Sequence, residues 1–114
     1  MQAKQLTDLI LKTLSDKKGE DIIYLNVADK TILAEYYIIA TGRSNTHVKS
    51  LCDYVEEEVE KTGTTALRKE GITEGRWAVL DFGDVIVHIF DDSARDFYNL
   101  ERLWGEGVKY QEEV

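Results

Sequence analysis

Few side chains in this sequence are suited to chemistry, and their spacing decides which chemistry. Asp81 and Asp84 flank Phe82-Gly83, His47 and His88 lie far apart, and Cys52 is the single thiol. A strand-like run ending at Thr41, then Gly42-Arg43-Ser44, then a helix-like run, is a place where an anion could bind. Amides at a helix start point outward and the helix dipole favours negative charge. A plain turn with an N-cap explains the same residues equally well. Enzymes that transfer nucleotidyl groups use a similar Gly-Ser start, but add paired acids on an adjacent strand to hold metal ions that clamp the reacting oxygens. Here the late strands offer only Asp81 and Asp84 around a turn, with no acid from Val85 to Phe90. The ligands for metal-dependent phosphoryl transfer are therefore missing from the pattern. Two histidines and one cysteine fall short of the four ligands of a structural zinc. Ser44 and His47 mimic hydrolase parts, without an ordered third member or an oxyanion hole. No Walker motif or dinucleotide fingerprint occurs. The expectation is a protein that is not an enzyme and needs no metal and no cofactor.

The element that must position the late acids and His88 runs from Gly75 to Phe90 and reads as two strands joined at Gly83-Asp84. Glycine tolerates positive φ, and a Gly-Asp pair suits the primed turns that match strand twist. A two-residue turn sets Phe82 opposite Val85 and carries the pairing back to Trp77 opposite Phe90. Side chains alternate across a strand, so this register fixes two faces. Ala78, Leu80, Phe82, Val85, Val87 and Ile89 share one face, all apolar, and predict core. Trp77, Val79, Asp81, Ile86, His88 and Phe90 share the other, too apolar for solvent and too polar for a dry core. Two readings compete for it. A second layer covers it, with Asp81 and His88 hydrogen-bonded to each other at the rim, or it meets another protein, since aromatic anchors beside a few polar groups make up interface hot spots.

Length and composition narrow the class. A chain of 114 residues predicts one domain, and a chain of that size buries about two-thirds of its unfolded surface without staples. The single cysteine leaves no internal disulfide to form. The formal net charge of −8 disfavours direct DNA binding and favours encounter with a basic protein. No run is long and apolar enough for a membrane span. The polar start Met1-Gln2-Ala3-Lys4-Gln5 shows no signal peptide, so a cytoplasmic location is expected.

The remaining elements follow from periodicity. Leu6, Leu9, Ile10 and Leu14 predict a helix over 3–18, with Gly19 placed to end it. Residues 21–27 read as a strand, and residues 35–41 as a second, nearly continuous in apolar residues, as strands covered on both faces are. Ser44 is placed to cap a helix reaching about Thr62, with Val48, Leu51, Cys52, Val55 and Val59 on one stripe and Asp53, Glu56, Glu57, Glu58 and Glu60 on the solvated side. Cys52 then reads as a buried, inert thiol, and His47 as a surface or capping residue. Residues 66–70 predict a short charged edge strand. Asp91-Asp92-Ser93 opens a last helix carrying Ala94, Phe97, Leu100 and Trp104 at helical spacing, which Asn99 is placed to split. The order is α-β-β-α-β-β-β-α, an α/β domain with a mixed β-sheet and flanking helices. It spans residues 1–104, with residues 105–114 expected as a loosely held tail.

Three segments together resemble one family: Tyr37-Ile38-Ile39-Ala40-Thr41-Gly42-Arg43-Ser44-Asn45-Thr46-His47-Val48, the run from Trp77 to Phe90, and Phe97-Tyr98-Asn99-Leu100-Glu101-Arg102-Leu103-Trp104. In this order and spacing they are similar to the ribosomal silencing factors, also called Iojap. The resemblance spans Leu6 to Trp104; Glu35 stands where aspartate is common, and Phe82 where tyrosine is common. It implies a nucleotidyltransferase-like fold without the catalytic acids. It implies a translation repressor that binds the large ribosomal subunit through ribosomal protein L-fourteen, blocks subunit joining, and is linked to large-subunit biogenesis. It also implies a homodimer when free. Carried onto this sequence, the partner face comprises Trp77, Asp81 and His88, with Asp84 at the turn; the hairpin register adds Val79, Ile86 and Phe90. An enzyme of the nucleotidyltransferase kind is the rival reading, and a purely self-associating face is a third.

Overall fold

The computed structural model of the chain describes residues 2–29, 32, 34–97 and 108–109. The elements are α1 (Ala3–Asp16), β1 (Glu20–Asn26), β2 (Tyr36–Gly42), α2 (Asn45–Glu60), β3 (Arg68–Glu70), β4 (Trp77–Asp81), β5 (Val85–Asp91), α3 (Asp92–Phe97) and β6 (Val108–Lys109). The expected α/β order holds through α3, and β6 is an added strand. Part of the expected tail is thus sheet, because Val108 and Lys109 pair with Tyr24 and Ile23. The expected helical positions Leu100 and Trp104, the Asn99 break and the other tail residues lie outside the described residues.

The strands form one sheet in the order β3-β4-β5-β2-β1-β6. Only the central β2–β5 pair is parallel among the described strands, and α2 lies between them in sequence, as a crossover requires. That centrality explains the apolar run of β2: Tyr37, Ile38, Ile39 and Ala40 are buried on both faces.

α1 and α2 cover one face. Leu6, Ile10 and Leu14 from α1 and Val48, Leu51, Cys52, Val55 and Val59 from α2 pack with Ile38, Ala40, Leu80, Val87 and Ile89 in the main core. Cys52 is fully buried, and desolvation, with Glu56 and Asp53 adding to it, pushes its thiol up to about 12, an inert state. The helix ends follow local chemistry. Ser44 caps α2 by accepting from the His47 amide at 3.1 Å. At the end of α1 it is Lys18, not Gly19, that takes the left-handed position, with φ 71°. Its N–H donates to the Ser15 carbonyl and that of Gly19 to the Leu14 carbonyl, a Schellman closure. A second, smaller core on the opposite face joins Ile23, Leu25, Val27, Ala34, Tyr37, Ile39, Phe90 and Ala94.

Candidate functional site

The β4–β5 hairpin forms in the expected register. Phe82 donates to the Val85 carbonyl at 2.9 Å across the turn, and Trp77 lies opposite Phe90, Val79 opposite His88 and Asp81 opposite Ile86. Gly83 sits at φ 90°, the left-handed region the turn demands. Its N–H donates to Asp81 Oδ1 at 2.8 Å, so the acid before the turn also fixes the turn. The Asp84 carbonyl accepts from the Glu35 and Tyr36 amides, which pins the turn to the start of β2 and leaves the Asp84 side chain exposed.

The helix-facing side of the hairpin is core throughout, with Ala78, Leu80, Val85, Val87 and Ile89 fully buried. The outer side divides. At one end Phe90 is fully buried beside Val27, Ala34, Ile39 and Ala94. Phe90 was expected to offer its ring to a partner. Instead it is sealed within the chain, because α3 and the segment after β1 fold over that end. Towards the turn the second layer thins, and Val79, Asp81, Ile86 and His88 are half-buried, as is Trp77 beside Phe90 at the sealed end. The covered reading of this face therefore holds at Phe90, and the other positions are sealed less completely.

The open part is a connected set of rings. The Trp77 indole N–H donates to His88 Nδ1 at 3.0 Å. An indole nitrogen only donates, so Nδ1 is the acceptor and the neutral imidazole carries its proton on Nε2. Burial pulls His88 down to about 4, which keeps the ring neutral at ordinary pH. Trp77 stacks on Phe90 with centroids 5.3 Å apart, and Tyr37 meets His88 edge-on at 5.4 Å. Burial, and secondarily the charge of Asp81, raise the Tyr37 phenol above its ordinary pKa. The expected Asp81–His88 pair does not form, because His88 is held by Trp77 and Asp81 by Gly83. The other Asp81 oxygen faces Arg68 Nη2 at 3.9 Å.

The loop before Trp77 is fitted closely to it. Gly71 sits at φ 74°, and a Cβ there would lie 2.0 Å from the Trp77 carbonyl oxygen, so no side chain fits. Asn45, in the first turn of α2, donates to the Gly75 carbonyl at 3.0 Å and to Asp91 at 3.1 Å, tying both outer ends of the hairpin to the helix.

The Gly42–Ser44 region is also built from local bonds. Gly42 pairs with Asp91 across the parallel strands, so an acid does stand beside it, one residue past the run searched in the sequence. Asp91 Oδ1 accepts from the Ala94 amide and the Ser93 hydroxyl, and Oδ2 from Asn45. His47 does more than line a surface. It accepts the Arg43 N–H on Nδ1 at 3.0 Å, so Nε2–H donates to the Lys17 carbonyl at 3.0 Å and fastens α2 to the end of α1. Among the described residues no group of three or more His, Cys, Asp or Glu could hold a metal ion, and no helix is long and apolar enough to cross a membrane.

Sequence reasoning missed two members of the open face. Arg68 lies opposite Asp81 and Glu70 opposite Val79, so both share the face with Trp77, while Lys69 turns the other way to pair with Glu56 of α2 at 3.0 Å. Their alternation in β3 was the available signal, but the pairing partner was not.

One mixed sheet with two helices on one face and a smaller, part-covered core on the other defines an α/β domain with flanking helices. The family model described as "Ribosomal silencing factor during starvation" matches residues 1–114. The chain belongs to that family. It is 38% identical over 105 residues to ribosomal silencing factor RsfS of Chromobacterium violaceum, covering 92% of this chain and 86% of the relative. It is 33% identical over 106 residues to the Bacillus subtilis protein of the same name, covering 93% and 90%. A crystal structure of a Chromobacterium violaceum protein superposes with a TM-score of 0.90 at 37% identity, covering all of this chain and 94% of that one.

Proposed function

We propose that the chain represses translation by docking on the large ribosomal subunit through ribosomal protein L-fourteen and standing where the small subunit must join. It acts as a binding protein, not an enzyme, in the cytoplasm, and contributes to large-subunit biogenesis; free copies pair as homodimers. Family membership and the names of its relatives support the silencing role. The observation that carries the choice of surface is the set Trp77, Val79, Asp81, Ile86 and His88, which stays half-buried where the helix-facing side of the hairpin is sealed, with Trp77 and Ile86 packed at the edge of the second core. Trp77 supplies the apolar anchor, and Asp81 and Asp84 answer the basic groups of the partner, in a chain of net charge −8.

Co-sedimentation with isolated large subunits tests this. Trp77→Ala and Trp77→Glu are expected to lose at least about 2 kcal/mol of binding, roughly thirtyfold, with the fold retained by circular dichroism. Unchanged co-sedimentation of both variants removes the hairpin face from the reading. The hydrodynamic mass of the same variants tells whether self-association uses this face. The nucleotidyltransferase reading gains nothing from Asp91, whose carboxylate caps α3 and holds Asn45.

A further inference from the structure

The open face carries its own cation. By register, Arg68 is the one basic side chain that β3, β4 and β5 place on the Trp77 side of the sheet among the described residues. Its guanidinium is shared between two acids, with Nη2 at 3.9 Å from Asp81 Oδ2 and Nε at 3.7 Å from Glu70 Oε1. Both distances exceed a hydrogen bond, and the Arg68 side chain is 63% exposed. Asp81 differs from both neighbours. Its side chain is only 21% exposed, and its Oδ1 is fixed by the Gly83 amide at 2.8 Å. That leaves Oδ2 as a rigid, aimed acceptor with a loosely held counter-ion.

Resting on the docking reading above, we propose that Arg68 is a built-in competitor for the partner. In the free protein it shields Asp81 Oδ2; on docking, a lysine or arginine of the basic partner takes that oxygen, and Arg68 swings onto Glu70. The fallback keeps Arg68 paired, so the exchange costs only the loss of one long, exposed contact. An exposed ion pair this long is weak, so Arg68 tempers affinity without forbidding binding. The cation also discourages wrong partners, because a surface lacking a well-placed basic group leaves Arg68 on Asp81 and gains nothing there.

The test measures affinity for isolated large subunits by wild type, Arg68→Gln, Asp81→Asn, the double variant, and Trp77→Ala. Arg68→Gln is expected to bind about two- to fivefold tighter, the range an exposed ion pair provides. In the Asp81→Asn background Arg68→Gln is expected to change nothing. Working at low ionic strength keeps the weakened complexes measurable. Weaker or unchanged binding by Arg68→Gln overturns the competitor role, and if Trp77→Ala still abolishes binding the docking face itself stands. A gain that persists in the Asp81→Asn background also overturns it, since simple repulsion between Arg68 and the partner then accounts for the effect. Full binding by Trp77→Ala removes the docking reading and the competitor with it.

Discussion

The two sides of the β4–β5 hairpin are made from the same 15 residues of backbone, from Trp77 to Asp91, and have opposite fates. On the helix side every position is closed by α1 and α2, and any well-shaped apolar residue would serve. On the outer side only Phe90 is fully sealed, and the polar half-buried positions are held by directed bonds: Trp77 has His88 and Asp81 has Gly83, while Gly71 in the preceding loop makes room for the Trp77 backbone. A filled core face is held by shape, whereas a face left half-buried is held in part by directed bonds that fix its large rings.

The comparison breaks first at its core side. Leu80→Ala deletes a fully buried side chain and is expected to cost about 2–5 kcal/mol in urea denaturation, whereas Val79→Ala, one residue along on the half-buried side, costs less than about 1 kcal/mol. Equal losses at the two positions would mean that the faces do not differ as described. The outer side is sharpened by pH. Folded His88 resists its proton down to about 4, while an unfolded histidine takes it near 6.5. Between those values the unfolded state binds more protons, so this stabilisation is whole above pH 6.5 and is lost as pH falls towards 4. A slope approaching about 1.4 kcal/mol per pH unit is expected in that window, and His88→Gln flattens it. The smallest effect isolates one bond. Trp77→Phe keeps most of the ring but removes the donor to His88, with an expected loss of about 1 kcal/mol and a shift of the His88 ring nitrogen signals.

Much of this was legible in the sequence, and the reasons differ by element. The hairpin register, the Ser44 cap and the buried Cys52 were readable because they depend on period, turn chemistry and neighbours within a few residues. Phe90 was misjudged because its cover comes from Val27, Ala34 and Ala94, which local pattern does not connect to it. The same distance hid Arg68, opposed to Asp81 only through strand pairing. Lys18 took the left-handed role expected of Gly19 one residue earlier than the glycine rule places it. β6 is too short to carry a period.

The parallel β2–β5 pair has a consequence during synthesis. β2 leaves the ribosome roughly fifty residues ahead of the end of β5, an interval on the order of 3–10 s at ~5–20 residues per second. Throughout it, one hydrogen-bonding edge of the most fully buried of the described strands has no neighbour to close it. Nascent chains of this protein are therefore expected to depend on early cover from α1 and α2, and to be caught by holding chaperones when translation pauses before Val85.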